Sequence, residues 1–235
     1  MKDNIESKHI CNRKFIIELR YDHRPIVADK KGAIIEGIKD LKLFPTLHWE
    51  MGAANVLLYD DTNKDECRNS IRVDLDRFAY ISSKIDTVDS FYNNFEKIYN
   101  VIVKTIGEFN IRRIGCRILG TYKCNSTDFT SVMSNMRKDF PAKFYLETYP
   151  VKDLMFQVTY QNGMYNVGPV RESDDAFIEN NFPSESRIRH VGVAIDTDNY
   201  LTNETQSINE SRLIKDIYML SLSVEKDLYT NLKSY

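Results

Sequence analysis

Two similar stretches lie about 120 residues apart in this chain, and this internal similarity constrains the fold more than any other feature. The matching positions are Val73, Asp76 and Tyr80 in the first stretch and Val193, Asp196 and Tyr200 in the second. Another match joins Leu-Phe-Pro at 43–45 with Asp-Phe-Pro at 139–141, about 96 residues further on. Solenoid repeats are only about 20–50 residues long, so the spacing predicts a duplicated half-domain instead of an array. The predicted halves are residues 1–110 and 111–235, fused into one structural unit.

Apolar and polar residues alternate in most of the predicted strands. In the first strand, over 14–21, the apolar residues Phe15, Ile17 and Leu19 occupy odd-numbered positions and Glu18 an even-numbered one. Positions of the same parity, odd or even, lie on the same face of a strand. Such strands indicate an antiparallel sheet with one wet face, because the strands of a parallel sheet are buried on both faces. Similar patterns predict strands over 47–51, 56–59, 71–76, 113–118, 144–146, 154–160, 165–170 and 191–195, and helices over 29–43, 87–109, 128–138 and 208–232. We therefore predict an α+β fold, in which internally duplicated strand-helix-strands-helix units form a mainly antiparallel curved sheet with helices on one face.

Two local features add to this prediction. Trp49 has the apolar parity of its strand, so we expect its side chain in the core. Residues 171–186 are rich in Asp, Glu, Asn and Ser, which predicts a long, mobile loop.

Composition narrows the class of protein. The chain has 235 residues, 42% of them hydrophobic, and a formal net charge of −2. Because a nucleic-acid-binding protein usually carries a basic excess, we do not expect nucleic acid as the partner. The polar N-terminus and the absence of an apolar run of about 20 residues predict a cytoplasmic protein without membrane contact. The four cysteines lack zinc or disulfide spacing, and we expect reduced thiols, no metal and no cofactor.

The wet face of the sheet is the candidate binding surface. By parity it collects Glu18, Arg20, His48, Glu50, Arg72, Asp74, Asp76, Arg113, Arg117, Glu147, Gln157, His190 and Asp196. The residues that we expect to bind a partner are Arg20, Arg113, Arg117, Arg72, Asp74, Asp76 and Asp196. Arginine suits this role because its guanidinium group binds carboxylates and phosphates through two hydrogen bonds. The structural alternative is cross-strand ion pairing on a solvated face.

The sequence favours binding over catalysis. We expect a non-enzymatic binding or regulatory protein that engages a protein partner or a small anionic ligand through this face and residues 171–186. No GxSxG, P-loop or GxGxxG motif is present. The alternative is a small metal-dependent nuclease or nucleotide-processing enzyme, because residues i and i+2 of a strand, such as Asp74 and Asp76, share a face and could hold a cation.

The order of several motifs resembles a sporadically distributed, uncharacterised prokaryotic family of similar chain length. These motifs are FIIELRYD, LFPTLHWE, VDLDRFAY with a long helix, RRIGCRI, and VAIDTDNY with the last helix. Family members carry an Arg-x-Gly-Leu-Arg-Tyr-x-Asn strand in mid-chain. Arg113, Gly115 and Arg117 match that strand, whereas its Leu, Tyr and Asn are replaced here by Cys116, Ile118 and Gly120. The resemblance implies a fold of patchy distribution, as seen among components of prokaryotic defence or toxin–antitoxin systems.

Overall fold

A computed structural model describes residues 5–83, 87–139, 152–202 and 210–235. Within them lie nine strands and six α-helices, which confirms the predicted α+β class. The strands are β1 Ile10–Tyr21, β2 His48–Met51, β3 Asn55–Tyr59, β4 Asn69–Asp74, β5 Arg77–Ser82, β6 Ile111–Tyr122, β7 Phe156–Tyr160, β8 Gly163–Val170 and β9 Gly192–Thr202. The helices are α1 Ile26–Asp29, α2 Lys31–Asp40, α3 Val88–Ile106, α4 Phe129–Asp139, α5 Ala176–Asn181 and α6 Glu210–Leu232. The strand predicted over 144–146 lies outside the described residues.

The nine strands form one open antiparallel sheet in the order β2-β3-β4-β5-β1-β6-β9-β8-β7. From β1 outward, the order is β1, β5, β4, β3, and from β6 outward it is β6, β9, β8, β7. The two series have the same connectivity, as expected for duplicated strand-helix-strands-helix units. Residue contacts divide the chain differently, into two compact units. The predicted boundary between residues 110 and 111 stays a prediction.

Unit 1 consists mainly of Lys14–Arg117 and Asn199–Leu220. One face of its strands packs against α3 and the first half of α6 through a cluster of aromatic rings. The ring of Phe91 lies 5.1 Å from that of Phe15, 5.0 Å from that of Tyr80 and 5.8 Å from that of Tyr218. Each fully buried apolar side chain of this size contributes about 1.5–3 kcal/mol to folding. The apolar parity of β1 is therefore its helix-covered face, as predicted.

Unit 2 consists of Asn4–Arg13, Ile118–Asp198 and Ser221–Tyr235. Its core joins the helix-facing side chains of β6, β8 and β9 to α4 and the end of α6, and it includes Tyr122, Val193, Ile195, Val132 and Tyr229. A charged pair is buried in this unit. The Nε atom of Arg13 donates a hydrogen bond of 2.8 Å to Glu225, and the two side chains are only 7% and 1% exposed.

Residues 171–186, predicted as a long mobile loop, contain a capped helix and buried side chains. The carboxylate of Asp175 accepts hydrogen bonds from the backbone N–H groups of Arg171, Phe177 and Ile178, and Ile178 is only 1% exposed. Aspartate is among the strongest N-caps. Asp175 is one of the polar residues that suggested a loop, and here it caps the start of α5.

The placement of Trp49 in the core is wrong, since its side chain is 45% exposed. It lies on β2, which pairs with β3 alone among the described strands. The two repeated stretches also differ in structure. Val73 and Tyr80 lie on separate strands of the hairpin β4–β5, whereas Val193 and Tyr200 lie on the single strand β9.

Candidate functional site

The open face of unit 1 is built around the second half of β1. Leu19 and Tyr21 of this strand are buried on the helix-covered face, so Glu18 and Arg20 lie on the opposite face. In the antiparallel pair of β1 and β5, Arg20 lies directly opposite Arg77. Like charges in directly opposed positions destabilise a sheet, so this pair requires compensation.

The turn between β4 and β5 supplies further charged groups. The hydroxyl of Tyr21 donates to the backbone carbonyls of Asp74 at 2.8 Å and Arg77 at 3.2 Å. The backbone N–H of Tyr21 also donates to the carbonyl of Asp76 at 3.0 Å. The end of β1 therefore fixes this turn, and the turn places the side chains of Asp74 and Arg77 on the open face, where they pair with each other.

Two carboxylates hold four guanidinium groups on this face, which we call the arginine cluster: Arg20, Arg72, Arg77 and Arg113 with Glu18 and Asp74. Glu18 contacts Arg20 at 2.8 Å, Arg113 at 3.5 Å and Arg77 at 3.7 Å. Asp74 contacts Arg77 at 2.7 Å and Arg72 at 2.9 Å. Four positive and two negative charges leave an excess of two positive charges in the cluster.

The carboxylates are less exposed than most of the arginines. Glu18 and Asp74 are 22% and 13% exposed in their side chains, whereas Arg20 is 55% exposed. Water therefore screens the outer pairs, each of which contributes about 0–1 kcal/mol to stability. The hydrogen bond to Asp74 is the main cause that raises the pKa of Arg77 above its ordinary value. Arg77 thus keeps its charge at any physiological pH.

A cleft of about 560 Å³ opens beside the arginine cluster. Its lining residues are Arg20, Tyr21, Asp76, Arg77, Arg112, Arg113 and Thr202. The guanidinium group of Arg113 lies 4.8 Å from the ring centre of Tyr200, a cation–π contact that helps to orient it. Arg112 is hydrogen-bonded to Asp22, and Asp76 adds one negative charge to the wall. With Asp76 and with Asp22, the partner of Arg112, the named residues of the cluster and the cleft are five arginines and four acids.

The structure brings together only part of the predicted binding set. Arg20, Asp76 and Arg113 line the cleft, and Arg72 and Asp74 belong to the adjacent arginine cluster. Arg117 is exposed on β6 but is not among the lining residues. Asp196 belongs to unit 2, where it is 6% exposed and accepts a hydrogen bond of 3.2 Å from Asn166.

Sequence reasoning missed Arg77 and Arg112 as parts of this site. It treated 71–76 as one strand, whereas β4 ends at Asp74 and β5 begins at Arg77. Asp74 and Asp76 are therefore not neighbours on one face of a strand. The Asp-Leu-Asp sequence before Arg77 was a usable turn signal, because aspartate favours turns.

No group of three His, Cys, Asp or Glu side chains that could hold a metal ion occurs in the described part of the chain. None of the helices described combines the length and the apolar composition that a membrane span requires. Comparison with protein-family models and with curated proteins found no match to this chain.

Proposed function

We propose that this protein is a non-enzymatic binding protein whose arginine cluster takes up a small anionic ligand in the adjacent cleft. The observation that carries the proposal is the direct opposition of Arg20 and Arg77 across β1 and β5, with Arg113 in contact with the same carboxylate. An anion between these groups would relieve their mutual repulsion. Such a ligand carries at least two acceptor oxygens, as phosphate and carboxylate groups do, to match the fork of a guanidinium group.

The size of the cleft supports a small ligand over a protein surface. Sites for small molecules have volumes of about 300–1,000 Å³, and the cleft lies within that range. Tyr21 and Thr202 add polar groups to the wall, although the hydroxyl of Tyr21 is already bonded to the β4–β5 turn. The guanidinium groups are therefore the donors that would select the ligand.

The structural alternative is a solvated face whose charges serve only each other. Every member of the arginine cluster does contact a carboxylate, as this alternative requires. What favours the proposal is the direct opposition of Arg20 and Arg77, because an anion between these two groups would relieve a repulsion that ion pairing at their sides leaves in place. The enzyme considered from the sequence has no comparable observation behind it in the residues described. A role in prokaryotic defence or in a toxin–antitoxin system remains a proposal based on the resemblance alone.

The test is thermal denaturation of the full chain with inorganic phosphate, pyrophosphate or citrate, against sodium chloride at equal ionic strength. A ligand that binds only the folded protein raises its stability by about 2.7 kcal/mol at a concentration 100 times its Kd. We expect a saturable stabilisation by at least one of these anions, followed by direct calorimetry of that anion.

The double variant Arg20→Gln with Arg113→Gln is expected to lose this saturable effect while it keeps its circular dichroism spectrum. The matched control is Arg189→Gln, because Arg189 forms an exposed pair of 3.5 Å with Glu179 and does not line the cleft. Equal stabilisation of the wild type and the double variant by every anion would refute the proposal, since a general salt effect needs no site.

A further inference from the structure

The β2 edge of the sheet exposes apolar side chains. Trp49 and Met51 are 45% and 57% exposed. All four residues of β2 pair with β3, and β2 has no second neighbour among the described strands. β2 is short and carries one charged residue, Glu50, as edge strands often do, but its tryptophan and methionine expose apolar surface of the kind that marks a contact surface.

A pocket of about 490 Å³ lies next to Trp49. Its apolar wall consists of Ile38, Leu43, Phe44, Pro45, Leu47 and Trp49. The charged lining residues are Lys39 and Lys42, and Lys39 forms an exposed pair of 3.5 Å with Glu36. The pocket therefore combines an apolar wall with two lysines at its rim. Glu50 of the same strand is already paired with Lys64 at 3.4 Å. The pocket is thus complementary to an apolar group accompanied by a negative charge.

Lys42 is held in an uncommon backbone conformation. Its φ angle is +51°, in the left-handed region that favours glycine. It follows the C-terminal end of α2, the position at which glycine is the usual residue. A lysine at this position costs conformational free energy that glycine would avoid. We interpret this cost as the consequence of a binding role for the Lys42 ammonium group at the pocket rim.

We propose that β2 accepts an extended peptide as an additional strand, with an apolar side chain in the pocket and an aspartate or glutamate beside Lys39 or Lys42. In a strand, residues i and i+2 lie on the same face, about 7 Å apart, so the acid is expected two positions from the apolar residue. Backbone hydrogen bonds to the β2 edge would supply affinity, and the pocket and lysines would supply specificity. This site is separate from the arginine cluster and does not depend on the function proposed for it.

A second copy of the chain fits this edge less well. A twofold-symmetric contact brings the same patch of both copies together. Both patches would then carry Lys39 and Lys42 among their lining residues, and neither lining would supply an acid to them. A peptide with an acidic residue has the complementary charge, and we therefore assign the surface to such a peptide.

The chain contains a single tryptophan, and it is Trp49. Its fluorescence therefore reports directly on this surface. The full chain is used to select binders from a random library of displayed peptides, and the selected peptides are then titrated against the protein. We expect an enriched pattern with a large apolar residue and an acid two positions away, and a saturable blue shift of the Trp49 emission.

Three changes separate this site from an unspecific apolar surface. Trp49→Ala should weaken binding of the selected peptide by more than tenfold, measured by anisotropy of a labelled peptide. Lys42→Gly should weaken it by about two- to fivefold, the effect of one exposed ion pair. Because glycine suits the backbone at position 42, that loss would not come from misfolding. N-methylation of alternate peptide residues should abolish binding in one register and leave it unchanged in the other.

Several outcomes would overturn the proposal. These are selected peptides that lack an acid, peptides that bind Trp49→Ala as tightly as the wild type, and failure to enrich any peptide. A blue shift that grows with protein concentration in the absence of peptide would assign the edge to self-association instead. Sedimentation of the chain across the same concentrations would show that dimer directly.

Discussion

Removal of the buried carboxylate of Glu225 is expected to destabilise unit 2 strongly. Its Oε1 atom accepts a hydrogen bond from the Nε of Arg13 at 2.8 Å and another from the hydroxyl of Tyr122. Its Oε2 atom is bonded to the Nη2 of Arg13. In a Glu225→Leu variant the buried guanidinium group of Arg13 would lose the carboxylate with which it is paired.

The structure allows the magnitude to be estimated. Because the side chains of Arg13 and Glu225 are only 7% and 1% exposed, water cannot replace the lost partner. Breaking a buried ion pair by removing one member costs about 3–5 kcal/mol. Tyr122→Phe removes only a neutral donor to the carboxylate, and we expect a cost of about 1–2 kcal/mol.

Urea denaturation followed by circular dichroism measures these costs. The decisive comparison is the triple variant Arg13→Met, Glu225→Leu and Tyr122→Phe, which removes all three polar groups together. Replacement of a whole buried ion pair by apolar residues is often neutral or stabilising, so the triple variant should be more stable than Glu225→Leu alone. A Glu225→Leu variant whose unfolding free energy lies within about 1 kcal/mol of the wild type would refute the reasoning. A triple variant no more stable than Glu225→Leu would refute it as well.

Three further predictions concern other parts of the chain. Burial lowers the pKa of His190 below its ordinary value of 6.5, so its contribution to stability is complete above pH 6.5 and is lost as the pH falls through the lowered pKa. His190→Gln should therefore flatten the acid side of a plot of unfolding free energy against pH, whose slope from one proton is at most about 1.4 kcal/mol per pH unit. Glu18→Gln should tighten binding of the anion identified in the denaturation test by about two- to fivefold, measured by calorimetry, because it removes a competing negative charge. Asp175→Ala should destabilise α5 by about 1–2 kcal/mol, detectable as faster proteolysis near residues 176–181. An unchanged pH slope, a weaker affinity or an unchanged cleavage rate, respectively, would contradict these expectations.

The alternation of residues in β1 was sufficient to predict its two faces. Phe15, Ile17 and Leu19 are 1% exposed or less, and Glu18 and Arg20 lie on the other side. The pattern works because the side-chain period of a strand is two and one face is covered by helices. The same argument failed for Trp49. Alternation predicts which side chains share a face, but it does not predict whether a helix covers that face at the edge of the sheet.

Long-range pairing explains the other failures. Arg13 follows the apolar parity of β1 and is buried, yet its partner Glu225 lies 212 residues away in the chain. No local pattern can join two such positions. Arg77 was missed because a turn interrupts the predicted strand 71–76. After this turn the odd-numbered positions, including Arg77, lie on the face that the even-numbered positions occupy before it.

The two groups of arginines in this protein therefore provide contrasting cases of the same chemistry. Arg13 has its own carboxylate, lies in the core and leaves no charge uncompensated, so its arrangement is complete without a ligand. Arg20, Arg77 and Arg113 share Glu18 on an open face, and two of them, Arg20 and Arg77, lie directly opposite each other. If the second arrangement were merely structural, loss of Glu18 would have the same consequence as loss of Glu225, a less stable protein and nothing more. The proposed binding role requires two effects of opposite sign when Glu18 is lost. The protein becomes less stable, and its affinity for an anion rises.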